Sequence, residues 1–247
     1  MTVIDFDFAK DALFLDLDGT LIDIAPRPEQ VQAPPSLIAS LGAILTQRDG
    51  ALAVISGRSI SSVDAVLHPL RLPAAGIHGA EISFDRRAGV THRGALVLPD
   101  AVRWLLAPLT SVHGVLVEDK GPAIAIHYRQ APQAQDYVYE VVTAAVRANT
   151  ESALSIIPGK FVYEIKPRSF SKGTALAEFM QQPPWAGRRP IFIGDDVTDE
   201  AAFAELPRWN GLGLSVGGER PGAIARFINA ADVRGWLSEL VQQEFTS

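Results

Sequence analysis

Three short apolar runs in this chain end abruptly in polar residues: Ala12-Leu-Phe-Leu15 runs into Asp16, Ala51-Leu-Ala-Val-Ile55 into Ser56, and Pro190-Ile-Phe-Ile193 into Gly194 and Asp195. Unbroken apolar runs of this length suit strands buried on both faces. Between the first two lies a helical pattern, with Leu37, Ile38, Leu41, Ile44 and Leu45 on one face. A second helix is expected after Ser56, and a third after Lys172, with Ala175, Leu176, Phe179 and Met180 on its apolar face. Strand and helix alternate, so the fold class is α/β, built on a doubly wound parallel sheet.

The middle of the chain breaks this rhythm. Val115 to Lys120 and Ile124 to Arg129 read as paired strands about the turn Lys120-Gly121-Pro122. A helix follows from Gln133 to Ala148, then a second hairpin from Leu154 to Ile157 and Phe161 to Lys166, turning at Pro158-Gly159-Lys160. The expectation is a discontinuous core over 1–98 and 167–247, with a small α+β unit inserted over 99–166. The Pro-rich stretches Pro26 to Pro35 and Pro183-Pro184 read as loops.

Composition removes several functional classes. The 247 residues include no cysteine, which excludes disulfides, thiolate metal sites and a cysteine nucleophile. A net charge of −6 argues against a nucleic-acid partner. No run approaches the length of a membrane span. The N-terminus carries Asp5, Asp7 and Asp11 and does not read as a signal peptide. A cytoplasmic protein is the default, and a monomer is expected.

Active sites of open α/β sheets lie at the carboxyl ends of the strands. Four candidate strand ends deliver Asp16-Leu-Asp18-Gly-Thr20, Ser56-Gly57-Arg58, His78-Gly-Ala-Glu81 and Gly194-Asp-Asp-Val-Thr-Asp199, and Lys172 opens a helix. Gathered together, these are the parts of phosphoryl transfer: carboxylates, a hydroxyl and a cation. Asp16 and Asp18 are two apart and share a strand face, so one can attack phosphorus while the other handles protons. An isolated Asp-x-Asp more often just ends a strand and starts a loop. Asp195 beside Asp16 suits a Mg²⁺ ion, while Thr198, Asp199 and Glu200 suit a helix N-terminus. Ser56 reads as an anion contact or as an ordinary N-cap. Lys172 opposes the helix dipole, a conflict expected at functional sites, although a lone lysine is usually solvated. The five histidines have no paired ligand spacing, so His78 reads as structural or substrate-facing.

Taken in order, Asp16-Leu-Asp-Gly-Thr20, Ser56, Lys172 and Gly194-Asp-Asp196 resemble the four motifs of the haloacid dehalogenase superfamily, whose core is Rossmann-like. The resemblance implies Asp16 as nucleophile and Asp18 as general acid/base. It implies Ser56 and Lys172 as phosphoryl contacts, and Mg²⁺ held by Asp16, Asp195 and the backbone carbonyl of Asp18. Ile55-Ser-Gly-Arg58, Gly76-Ile-His-Gly-Ala-Glu81, Val117-Glu-Asp-Lys120, His127-Tyr-Arg129, Glu164-Ile-Lys-Pro167 and Ile193 to Glu200 resemble, more narrowly, the trehalose-6-phosphate phosphatases. That likeness spans nearly the whole chain and makes the inserted unit a substrate-recognising cap. It implies Gly57, Arg58, His78, Glu118, Lys120, Arg129, Lys160 and Glu164 as substrate contacts. Glu with Lys or Arg supplies the acceptors and donors that sugar hydroxyls need; the same charges also suit the outer face of small hairpins. Val197 departs from the polar or basic residue common there. The rival readings are a phosphatase for sucrose 6-phosphate or mannosyl-3-phosphoglycerate, a phosphomutase, and a non-catalytic sugar-phosphate-binding module.

Overall fold

The computed structural model describes residues 5–24, 31–47, 50–93 and 97–244. They divide into two compact units, one formed by Met1–Thr91 with Ser171–Ser247 and the other by His92–Phe170. The first unit contains, in chain order, β1 (Asp11–Leu15), α1 (Pro35–Thr46), β2 (Leu52–Ile55), α2 (Ile60–Val66), β3 (Ala74–Gly76), β4 (Glu81–Ser83) and β5 (Thr91–His92), the last at its border. The second unit contains α3 (Asp100–Leu106), β6 (Leu116–Asp119), β7 (Ile124–His127), α4 (Gln135–Arg147), β8 (Leu154–Gly159) and β9 (Val162–Pro167). The chain then returns to the first unit with α5 (Lys172–Phe179), β10 (Arg189–Gly194), α6 (Glu200–Glu205), β11 (Leu212–Val216), β12 (Ala225–Phe227) and α7 (Ala230–Glu244).

The apolar runs become central strands because each feeds two cores. Leu13 and Leu15 of β1, Leu52 and Val54 of β2, and Ile191 and Ile193 of β10 enter one cluster. The intervening Ala12, Phe14, Ala53, Ile55 and Phe192 enter the other. Helices α1, α2 and α7 cover the first face through Leu37, Leu41, Val63 and Leu237. Helices α5 and α6 cover the second through Leu176, Phe179 and Phe203. The sheet order is β12-β11-β10-β1-β2-β3-β4-β5. The strands from β12 to β3 run parallel, and β4 turns back antiparallel on β3. After β1 the chain moves outward through β2, and after β9 it returns through β10 on the other side. The order therefore reverses between β1 and β10, the crevice where ligands bind in such sheets.

The second unit is a four-stranded antiparallel sheet, β6-β7-β9-β8, with α3 and α4 on one face. Alternation decides which residues pack. Ile124, Ile126, Tyr163 and Ile165 meet Val102, Val138 and Val142 in the core, so Ala125, His127, Glu164 and Lys166 face the other way.

Three expectations need correction. The second unit runs 92–170, wider than 99–166. Its connectors are tied inward: Leu98 N donates to Gly121 O at 2.8 Å, Arg168 N to Ala153 O at 2.9 Å, and Lys166 Nζ to Phe170 O. The second hairpin turns at Lys160-Phe161, with Phe161 left-handed at φ 63°, and Pro158 and Gly159 belong to β8. Proline is accepted there because β8 is an edge strand. Pro35 starts α1, where its fixed φ suits a first helical position; of the same Pro-rich stretch, 25–30 lie outside the described residues.

Candidate active site

The end of β1 sets the first part of the site. Asp16 N donates to Ile193 O at 2.9 Å, so the ladder to β10 holds Asp16 in place after the strand ends. The chain then turns tightly, with Gly19 N on Ile22 O at 2.8 Å and Gly19 at φ 82°. A Cβ on Gly19 would lie 2.2 Å from Asp195 Oδ2. Glycine is required here twice, for its backbone and for the close approach of Asp195.

The end of β10 supplies the second part. Asp196 caps the 3₁₀ turn that follows: Val197 N donates to its Oδ1 at 2.7 Å, and Asp196 N donates to Asp199 Oδ2 at 2.9 Å. This box swings Asp199 back beneath the strand end, where a Cβ on Gly194 would meet its Cγ at 2.3 Å. Lys172, the first residue of α5, is 3% exposed and reaches into the same space. Its Nζ donates to Asp16 Oδ1 and to Asp199 Oδ1, each at 2.6 Å. Carboxylate oxygens of Asp16, Asp195 and Asp199 all lie within 4.8 Å of one another.

The electrostatics are unbalanced in one direction. Burial opposes the Lys172 charge, but Asp16 and Asp199 outweigh it and raise its pKa. Lys172 is therefore a permanent ammonium. One ammonium against three carboxylates leaves excess negative charge. Burial pushes the Asp16 carboxyl well above its ordinary range; Asp199 and Asp195 push the same way, and Lys172 pulls back. Burial, then Asp199, pushes Asp195 up to about 7. An all-oxygen, partly buried, over-acidic cluster is a donor set for a hard divalent cation.

The end of β2 lies beside that of β1. Ser56 N donates to Ala75 O at 2.9 Å, and its Oγ accepts Arg58 N at 3.2 Å. Ser56 does not cap α2; Ser59 does, accepting Ser62 N at 3.3 Å. Arg58 points its fork at Asp18, Nε on Oδ2 and Nη2 on Oδ1, both at 2.6 Å. His78 is buried and left-handed at φ 54°, its N donating to Ser56 O at 3.0 Å. Its ring packs on Gly57, where a Cβ would come within 2.9 Å. Glu81 Oε2 accepts Ile60 N at 2.7 Å, at the start of α2.

In the second unit, Glu118 and Glu164 flank Ala125 on one cross-strand row. Lys120 Nζ lies 3.4 Å from Glu164 Oε1, and Glu118 Oε2 lies 3.0 Å from His127 Nε2. The His127 hydrogen bond holds the Glu118 pKa below its ordinary value. Lys160 sits further along, in the β8–β9 turn, and Arg129, just after β7, reaches it: Nη2 donates to Lys160 O at 3.2 Å and the guanidinium stacks on Phe161.

The family model of the trehalose-phosphatases matches residues 14–217. The trehalose-6-phosphate phosphatase of Escherichia coli strain K12 is 44% identical over 230 residues, spanning 93% of this chain and 86% of that protein. The chain belongs to the trehalose-phosphatase family. A probable trehalose-phosphate phosphatase of Sinorhizobium fredii strain NBRC 101917 / NGR234 is 42% identical, spanning 97% of this chain and 91% of that one. The solved C-terminal domain of the trehalose-6-phosphate phosphatase of C. albicans superposes with a TM-score of 0.84 at 19% identity, over 95% of this chain and 92% of that chain. That likeness carries the fold.

Within this trehalose-phosphatase chain three residues contact the site residues although their sequence pattern assigned them no ligand or substrate role. Asp199 reads from its spacing as a capping residue, which it is; the free oxygen that reaches Lys172 is invisible in one dimension. His127 was findable, since it alternates with Ala125 on the polar face of β7. Arg220, in the loop before β12, donates from Nε to Asp195 O at 3.0 Å, and nothing local in its sequence announces that.

Proposed function

We propose that this chain hydrolyses trehalose 6-phosphate to trehalose and inorganic phosphate by way of an aspartyl phosphate on Asp16. The observation that carries the reading is the ammonium of Lys172, 2.6 Å from Asp16 Oδ1, inside a cluster of three carboxylates at the switch point of the sheet. Asp16 attacks phosphorus in line, and the bond to the sugar O6 breaks. Lys172 and Ser56 hold the phosphoryl oxygens. Asp18 gives its proton to O6. It then takes a proton from the water that attacks the acyl phosphate, and Asp16 is released. Mg²⁺ is the expected metal, held by Asp16, Asp195 and the Asp18 carbonyl, and when bound it supplies positive charge to the phosphoryl oxygens. In the second unit Glu118, Lys120 and Glu164 read sugar hydroxyls, with Arg129 and Lys160 as outer contacts. This assignment rests on the row that Glu118 and Glu164 share, on the contact of Lys120 with Glu164, and on their mixed donor–acceptor character.

The cysteine-free sequence fits a cytoplasmic location, and action as a monomer belongs to the same proposal; gel filtration at the mass of one chain checks the latter. No helix among the described residues is long and apolar enough to cross a membrane. The deciding experiment is phosphate release from trehalose 6-phosphate with and without Mg²⁺, beside sucrose 6-phosphate and mannosyl-3-phosphoglycerate. Release from trehalose 6-phosphate alone, lost on chelation and in Asp16→Asn, is the expected result. Equal rates on all three would end the claim of trehalose specificity, and full activity of Asp16→Asn would remove the nucleophile.

A further inference from the structure

The guanidinium of Arg58 is fully directed. Nε and Nη2 grip both oxygens of Asp18 at 2.6 Å, and Nη1 donates to Ser62 Oγ at 3.3 Å. Two parallel charge-assisted bonds fix the plane of a carboxylate as well as its distance, which a single point charge does not do. The arm that carries the fork is itself held. Arg58 N donates to Ser56 Oγ at 3.2 Å, and Arg58 O accepts Ile77 N at 2.8 Å. A Cβ on Gly76 would lie 2.9 Å from that carbonyl, so Gly76 is what admits it. Asp18, in contrast, stands on the tight turn after β1 with 37% of its side chain exposed. A half-exposed carboxylate on a turn has several rotamers open to it. The strand ends of β1 and β2 are thereby joined through a side-chain fork.

We propose that Arg58 is a positioning residue for Asp18, fixing the carboxylate that exchanges protons in both half-reactions, and is not a contact to the sugar phosphate. The proposal rests on the proton-handling role given to Asp18 above. A proton donor misplaced by one ångström loses most of its effect on the transition state while leaving substrate binding intact. The loss therefore falls on kcat, by about 10²-fold, with KM changed by less than about twofold.

The test uses the full chain with Mg²⁺ and two substrates. On trehalose 6-phosphate, Arg58→Gln lowers kcat at nearly constant KM, and Arg58→Lys does not restore it, because an ammonium offers no fork. On p-nitrophenyl phosphate the leaving group departs without a proton. Phosphorylation of Asp16 then bypasses Asp18, while hydrolysis of the acyl phosphate still needs it. Arg58→Gln accordingly gives a rapid burst of about one p-nitrophenolate per site followed by slow turnover, and Asp18→Asn gives the same pattern as reference. A tenfold or larger rise in KM at retained kcat assigns Arg58 to substrate binding and overturns the proposal. So does full turnover in Arg58→Lys, or a burst lost together with the steady state, the mark of a merely structural role. Should wild type release no phosphate from trehalose 6-phosphate, the substrate reading fails and the p-nitrophenyl phosphate arm still judges the clamp. Should Asp18→Asn turn over normally, the acid/base reading fails, whatever Arg58 does.

Discussion

At the scale of residues, the site is governed by a shortage of positive charge and a shortage of space. Lys172 is the buried ammonium that Asp16 and Asp199 share. Lys172→Met leaves its carboxylates facing one another. Removing one partner of a buried ion pair costs about 3–5 kcal/mol, so the Tm of the metal-free protein drops by about 10 °C and phosphate release is lost. Calorimetry and a phosphate assay check both. Space is tested at Gly19, where any Cβ falls 2.2 Å from Asp195 Oδ2 and φ is 82°. Gly19→Ala must push Asp195 aside. The expected result is a rise of about tenfold or more in the Mg²⁺ needed for half-maximal activity, a shift of about 1.4 kcal/mol in metal binding. An unchanged Mg²⁺ requirement would show that Asp195 is not a ligand.

At the scale of elements, two capping boxes aim the charged groups. Ser171 Oγ accepts Thr174 N at 3.0 Å, and Thr174 Oγ1 accepts Ser171 N at 3.0 Å, which fixes where α5 begins and so where Lys172 projects. Ser171→Ala removes one half of the box and costs about 1 kcal/mol, visible as a Tm lower by about 2–4 °C. The second box, Asp196 with Asp199, was legible as helix-start chemistry from its spacing. Its other use was not legible, because the Asp199 oxygen facing Lys172 depends on how α5 packs beside α6. Ser56 shows the same limit in reverse. Local chemistry allowed it to be an N-cap, but the chain runs on to Ser59 before α2 starts. In the second unit the alternation of β7 and β9 predicts a charged face, yet Pro158-Gly159 misplaces the turn because nothing local says that β8 is an edge.

At the scale of the whole molecule, the over-acidic cluster couples stability to pH and metal. In the folded metal-free protein the Asp195 carboxyl keeps its proton up to about pH 7, against an ordinary value of 3.8. Its protonation therefore favours folding: that contribution is complete below pH 3.8 and is lost as pH rises through about 7. The Tm of metal-free protein should fall between pH 5 and pH 8, Mg²⁺ should restore it at pH 8, and Asp195→Asn should flatten both responses in differential scanning calorimetry. A metal-free Tm that rises over that range would contradict the sign. By itself the sequence determined the α/β class, the inserted α+β unit and the identity of every group at the strand ends. Those follow from periodicity and residue chemistry, which are local. Only the tertiary structure decided that Asp199 joins Asp16 around Lys172, that Arg58 grips Asp18, and that Arg220 reaches the Asp195 carbonyl. Each of those contacts joins segments far apart in the chain, and their geometry is set by the packing of parallel strands and their helices, which no local pattern encodes.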